Sequence, residues 1–232
     1  MKNTGTLFLI PTPIDEISPL EQTAFGMLLK ASTDGSVITI EDLKPGRRRW
    51  LRWGLPREQV DKFVLYNEHS WKDECEGLIQ KLQKGINVYL MSDGGLPAYC
   101  DPGRQLVEKC HQQKIKVSAS PFPHSIALAL AMSGFEIIPY QFLGFPPAKT
   151  EERLEFLKEV FKNKTLTVLM DTPYRLEKFI EQLKNVSSEL GIKKDIFLAM
   201  DLNQETESYY YGPLSKCKSQ GLGKREFILI LK

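Results

Sequence analysis

Short apolar runs alternate with amphipathic stretches along the first half of the chain. TLFLI (6–10), SVITI (36–40), KFVLY (62–66), INVYLM (86–91) and KIKVSA (114–119) read as strands. Between them, PLEQTAFGMLLKA (19–31), PGRRRWLRWG (45–54) and stretches over 71–84 and 103–113 read as helices or helical turns. Runs this short, apolar nearly throughout, suit strands buried on both faces. Parallel neighbours need a crossover between them, and a helix is the usual one. The alternation therefore predicts an α/β unit built on a mainly parallel sheet.

After residue 119 the pattern changes. SPFPHS (120–125) carries two prolines and leads into the apolar helix IALALAM (126–132). We place a domain boundary here, giving units 1–119 and 120–232. The second unit reads as strand IIPYQFLG (137–144), helix EERLEFLKEVF (151–161), strand TLTVLM (165–170) and helix RLEKFIEQLKNV (175–186). DIFLAM (195–200), ESYYYG (207–212) and EFILILK (226–232) follow as three strands with few helical residues between them. Such a run predicts antiparallel pairing, hence a mixed sheet. Two tandem α/β domains are expected, with a ligand cleft between them.

Composition narrows the class. The 232 residues are 42% hydrophobic and 26% charged, with a net charge of +2, which exerts no global pull on nucleic acid. Four cysteines without CxxC spacing and three histidines point away from a zinc site or a disulfide framework, so no metal is expected. The apolar run in MKNTGTLFLIPTP is short for a secretory signal, and no stretch has the length of a membrane span. A cytoplasmic location and no membrane partner are expected. GxxxxGK[ST], GxGxxG and GxSxG are absent, which removes the common nucleotide loops and the nucleophile elbow.

Ligands of open parallel sheets bind beyond the carboxyl ends of the strands. The residues there are Pro11–Ile14, Glu41 and Asp42, Asn67–His69, and the stretch MSDGGLPAYCDPG (91–103). Two adjacent glycines, two prolines and two aspartates in thirteen residues exceed what a connector needs. Gly94 and Gly95 either bare the backbone to a ligand or take φ > 0 in a turn. Asp42 and Asp171 either line a site or cap the following helix.

The spaced pieces resemble the tetrapyrrole methylase class of S-adenosylmethionine methyltransferases, most nearly the small-subunit ribosomal RNA cytidine 2′-O-methyltransferases. LFLIPTPIDEI stands where that family has a strand followed by A-T-P-I-G-N-L, and IEDLK (40–44) where it has A-E-D-T-R. YNEHS (66–70) matches H-E-H-N, and SDGGLPAYCDPG (92–103) matches S-D-A-G-T-P…S-D-P-G. PFPHS…AMSG (121–134), GFPPAK (144–149) and MDTPYR (170–175) match P-G-P-S-A…A-S-G, G-F-P…K and Y-E-S-P-H-R. The matches keep their order over nearly the whole chain, and the ordered set is far more specific than any one motif. Departures include Asp15-Glu16 for Gly-Asn, Leu43-Lys44 for Thr-Arg, Leu96 for Thr, and Phe122 with His124 in the Pro-Gly-Pro-Ser run. MDLNQ (200–204) replaces R-E-L-T-K.

The resemblance implies a methyl donor, S-adenosylmethionine, bound between the two domains, in a homodimer. Carried over by position, the donor lies against Pro13, Ile14, Gly95, Leu96, Tyr99, His124 and Ser125, with Met170 and Met200 completing the pocket. For the methionines, core packing is the competing reading. A ribose hydroxyl nucleophile calls for a positioned base, and Glu41, Asp42 and Glu68 are the candidates. In PGRRRWLRW (45–53), Arg47, Arg48, Arg49 and Arg52 suit phosphates and Trp50 and Trp53 suit unpaired bases, or the helix is a solvated one whose tryptophans dock inward. The expected substrate is ribosomal RNA and not DNA. A tetrapyrrole-like small molecule, or donor binding without catalysis, are the other readings.

Overall fold

The computed structural model describes residues 4–122 and 124–232. Met1–Asn3 of the N-terminal stretch and Pro123 of the PFPHS run lie outside the described residues. The chain divides into two units, Met1–Phe122 and Pro123–Lys232. Both are α/β, the first on a parallel sheet and the second on a mixed one. Among the described residues no helix is long and apolar enough to cross a membrane.

In the first unit β1 (Thr6–Ile10), α1 (Gln22–Ala31), β2 (Val37–Ile40), α2 (Leu43–Arg52), β3 (Val64–Leu65), α3 (Trp71–Gln83), β4 (Val88–Met91), α4 (Arg104–Gln112) and β5 (Lys116–Ala119) follow in turn. The strand order is β3-β2-β4-β1-β5, and every pairing is parallel. Strand alternation divides the core. Leu7, Val88 and Leu90 pack with Leu78, Ile79 and Leu106 of α3 and α4, while Ile10, Ile38, Tyr89 and Met91 pack with Ala24, Leu28 and Trp50 of α1 and α2. β4 lies at the centre and is buried along its whole length, which its uninterrupted VYLM run requires.

The expected strand 62–66 is shorter. Only Val64 and Leu65 pair, because 57–62 winds into a tight 3-10 turn and Phe63 turns edge-on to Trp50, 5.1 Å between ring centroids. An edge strand loses little by this truncation.

The second unit runs α5 (Ser125–Ser133), β6 (Tyr140–Gly144), α6 (Thr150–Lys162), β7 (Leu166–Asp171), α7 (Leu176–Leu190), β8 (Asp195–Met200), β9 (Ser208–Pro213) and β10 (Phe227–Leu231). The sheet order is β6-β7-β10-β8-β9, parallel between β6 and β7 and antiparallel elsewhere. The last strand does not extend a meander. It inserts between β7 and β8, because FILIL is apolar on both faces and only a central position covers both. Phe227, Leu229 and Leu231 face α6 and α7; Ile228 and Ile230 face α5.

At Gly103 the chain enters α4 at φ +129°, and a Cβ there would lie 2.6 Å from Cδ2 of the buried Leu90. Gly103→Ala is expected to cost about 2–3 kcal/mol from strain and overpacking, read as a lowered urea midpoint.

Candidate active site

β1 leaves through α1 toward β2, whereas its neighbour β4 leaves through α4 toward β5, on the opposite face of the sheet. Adjacent strands whose connections part in this way open a crevice at their carboxyl ends. The two loops that meet there are fastened to each other. The Thr12 amide donates to the Gly95 carbonyl and the Gly95 amide donates to the Thr12 carbonyl, each at 2.9 Å. The fully buried Thr12 hydroxyl donates to the Ser92 carbonyl at 3.0 Å, and the Ser92 hydroxyl donates to the Gly95 carbonyl at 3.1 Å. Pro13, Ile14, Gly95 and Leu96 are thereby brought together. A Cβ on Gly94 would touch Cα of Ile14 at 3.4 Å, and one on Gly95, which sits at φ +93°, would touch the Asp101 carboxylate at 3.8 Å. Tyr99 lies in the same loop and is exposed, between Ala98 and Cys100, both with positive φ. Positive φ at residues other than glycine costs free energy and gathers at ligand sites.

Three carboxylates share this edge. A Glu41 carboxylate oxygen accepts the Asp93 amide at 3.1 Å. Burial, with repulsion from Glu41, lifts the Asp93 carboxyl to about 6. Burial, with repulsion from Glu41 and Asp93, lifts Asp101 to about 7. Neither aspartate stood among the expected bases, although both belong to the loop whose negative charge drew notice. No periodicity marks which loop side chain turns inward. Asp42 caps α2 by accepting the Lys44 amide at 3.0 Å, so its carboxylate is committed to the helix. Glu68 is exposed and borders, with Trp71, Cys100, Asp101 and Arg104, a cavity of about 290 Å³. Among the described residues no three or more His, Cys, Asp or Glu side chains are grouped to hold a metal ion.

The arginine-rich helix divides by face. Gly46, Arg49 and Trp50 are its buried residues, at the i, i+3, i+4 spacing of one helical stripe. Trp50 is fully buried, and its indole N–H donates to the Pro56 carbonyl at 2.8 Å. The expected base-stacking role for Trp50 is therefore corrected: the ring is core. Arg49, expected among the phosphate ligands, is also turned inward. Its guanidinium donates to the carbonyls of Pro13 at 2.5 Å and Ile14 at 3.4 Å, and burial pulls its pKa down. Arg47, Arg48 and Arg52 remain toward solvent: Arg47 lies 3.8 Å from Asp61, Arg48 pairs with Glu16, and Arg52 donates to the Ser18 carbonyl at 3.3 Å.

In the second unit His124 precedes α5, Ser125 opens it, and Met170 packs with the α5 face of its sheet. Burial lowers the His124 pKa. Met200 pairs in register with Phe227 and packs among the α6 and α7 side chains. Met170 pairs with Ile228, one residue on, and so faces the other side. The two methionines expected to complete one pocket lie on opposite faces of the sheet, and Met200 is core. Asp171 does not cap the following turn, whose N-cap position is held by Thr172 with no side-chain cap bond; its Oδ1 accepts the adjacent Thr172 amide at 2.7 Å and lies 2.5 Å from the Arg175 guanidinium.

Residues 45–216 match the profile of the family described as Tetrapyrrole (Corrin/Porphyrin) Methylases. The chain is similar to ribosomal RNA small subunit methyltransferase I of Vibrio cholerae serotype O1, 30% identical over 210 residues, covering 90% of this chain and 69% of that one. It is similar also to the protein of the same name from Escherichia coli O157:H7, 27% identical, covering 98% of this chain and 78% of the relative. The Thermotoga maritima protein of that name is 28% identical, with 93% and 91% covered. Two solved structures share the fold. Diphthine synthase aligns with a TM-score of 0.62 at 9% identity over 98% of this chain and 89% of that one. A cobalt precorrin-4 methyltransferase of cobalamin biosynthesis aligns at 0.57 and 12%, over 97% and 94%.

Proposed function

Because this chain belongs to the tetrapyrrole (corrin/porphyrin) methylase family, we propose that it is an S-adenosylmethionine-dependent methyltransferase acting on a ribose hydroxyl of small-subunit ribosomal RNA. The observation that carries the ribosomal part is the shared name of relatives matched along nearly the whole chain. A tetrapyrrole substrate has behind it the general description of the family and a likeness of fold at 12% identity, not the name shared by the relatives matched along the chain.

S-adenosylmethionine, when bound, supplies an electrophilic methyl group on a sulfonium. Pro13, Ile14, Gly95, Leu96 and Tyr99 would hold it. The bare backbone of Gly95, fixed between the Thr12 bridge and the Asp101 carboxylate, fits a close-lying ligand. Met200 is left out of this set because it is packed in the core. Arg49 braces the carbonyls of Pro13 and Ile14 and so positions that loop.

Asp101 is the proton acceptor for the ribose hydroxyl in this reading. A base works best with a pKa near the working pH, and about 7 suits this. Glu41 and Asp93 act through it, as neighbouring carboxylates whose repulsion helps to hold its proton. Methyl transfer is then expected to rise with pH through about 7. Glu41→Gln removes one repulsion, so the acid limb of the pH–rate profile is expected to move to lower pH; an unmoved limb would separate Glu41 from Asp101.

Arg47, Arg48 and Arg52 supply the phosphate contacts. Replacing Arg47 and Arg48 by alanine is expected to weaken RNA binding and reduce the slope of log K against log salt by about 2, one for each lost phosphate contact. Equal slopes would remove the helix from the interface. The reading extends to a cytoplasmic homodimer. Four free cysteines support the reducing compartment, and exposed Tyr140, Leu143 and Phe145 on and after the edge strand β6 support the dimer. The experiment that tests the proposal is calorimetry with S-adenosylmethionine, followed by transfer of its labelled methyl group to isolated small subunits. Donor binding without transfer would mark a binding protein, and neither would end the proposal.

A further inference from the structure

Tyr174 is 76% exposed, the most exposed Phe, Tyr or Trp among the described residues. Tyr209 and Tyr211, also exposed, pack on neighbouring rings: Tyr209 lies 5.6 Å from Phe197 and Tyr211 lies 5.4 Å from Phe135. The Tyr174 ring instead carries an ammonium, with Lys224 Nζ 4.6 Å from its centroid. This pairing is built by the backbone. A Glu177 carboxylate oxygen accepts the amides of Leu222 at 2.8 Å and Gly223 at 3.1 Å, which fastens the β9–β10 connection to the first turn of α7. Lys224 follows directly. Gly221 and Gly223, at φ +75° and +72°, let the connection bend back over that turn. The two arginines next in sequence to this pair are otherwise engaged: Arg225 is bound to Asp201 at 2.6 Å and Arg175 to Asp171. Tyr174 follows the carboxyl end of β7, three residues beyond Asp171 and four beyond Met170, at the edge where β6 and β8 also end.

We propose that Tyr174 and Lys224 form a second contact for single-stranded RNA, on which one unpaired base of the substrate stacks while the ammonium meets the adjoining phosphate. A solvent-facing ring with a cation at its side is what an unpaired nucleotide recognises, since any base has a π-face and any linkage a negative charge. A duplex offers no such face, so the contact selects looped or unwound segments. The inference deepens the RNA reading above and rests on it.

Fluorescence anisotropy with labelled single-stranded oligoadenosine and with a duplex of the same length tests it, using the full chain. Tyr174→Ala is expected to weaken oligoadenosine binding about tenfold. Tyr174→Phe keeps the ring and is expected to bind within about twofold of the parent. Lys224→Ala is expected to weaken binding and lower the salt slope by about 1. Thermal melts and calorimetry with S-adenosylmethionine are expected to be unchanged for all three, because the ring is exposed and the ammonium surface-bound. In methyl-transfer assays on small subunits, Tyr174→Ala is expected to raise KM with kcat held. If the parent binds oligoadenosine and Tyr174→Ala binds equally, this inference falls and the RNA reading stands. If the parent binds neither RNA, both fall.

Discussion

Asp101→Asn is expected to slow methyl transfer by about 10²–10⁴-fold, the usual contribution of a positioned base, while leaving donor affinity within a small factor. The same substitution is expected to stabilise the protein. Its carboxyl is held at about 7 against 3.8 for the unburied group, so between those values the folded chain keeps a proton that the unfolded chain releases. Stability is therefore lost as pH rises from about 4 to about 7, and the full cost is present above that. The group is only half-buried, so solvent screening reduces the effect to about 1–2 kcal/mol. Denaturation at several pH values checks this: the gain for Asp101→Asn is greatest at pH 8 and fades toward pH 4. A residue with a merely structural role would lose stability and activity together. Lost activity with gained stability is what a carboxylate kept in an unfavourable place for its chemistry would show.

Trp50→Ala carries the largest expected stability loss, about 3–5 kcal/mol. The ring is fully buried, meets Phe63 edge-on at 5.1 Å and anchors its N–H on the Pro56 carbonyl, so truncation leaves a cavity and an orphaned acceptor. With a urea slope of about 2 kcal/mol/M, the midpoint moves down by about 2 M. A base-stacking tryptophan would give the opposite signature: weakened RNA binding with unaltered stability. Because α2 also carries Arg49, loosening the helix is expected to release the Pro13 and Ile14 carbonyls and weaken donor binding as a secondary effect.

Most of this fold was legible because strand burial leaves a plain mark. VYLM, FILIL and DIFLAM are apolar on both faces, and each lies inside its sheet with helices on both sides. Where tertiary packing decided, the reading fell short. Three consecutive strands announced antiparallel pairing, but not that β10 would leave β9 and pair with β7; that choice belongs to the face-by-face fit of Phe227–Leu231. Met170 and Met200 both lie in the last two residues of apolar strands, yet registers one residue apart on β10 send them to opposite faces.

The site was legible by position rather than by role. Residues after β1, β2 and β4 do converge, because strand order alone brings those ends together. Which carboxylate turns inward depends on the Thr12–Gly95 bridge and on the positive φ of Ala98 and Cys100, which no residue type announces. The arginine-rich run was the one place with an unused signal. Gly46, Arg49 and Trp50 at i, i+3 and i+4 already mark an inward stripe and leave Arg47, Arg48 and Arg52 outside.

The central claim is a methyl group placed on a ribose oxygen of small-subunit ribosomal RNA. Purified protein, S-adenosylmethionine and small subunits lacking modification are incubated, and the RNA is then hydrolysed in alkali and read by mass spectrometry. A 2′-O-methyl group removes the hydroxyl that alkaline cleavage needs. The account predicts one alkali-resistant dinucleotide carrying the donor's methyl group, formed by the parent and not by Asp101→Asn. Methyl groups found on bases alone, or no incorporation into RNA, would contradict it.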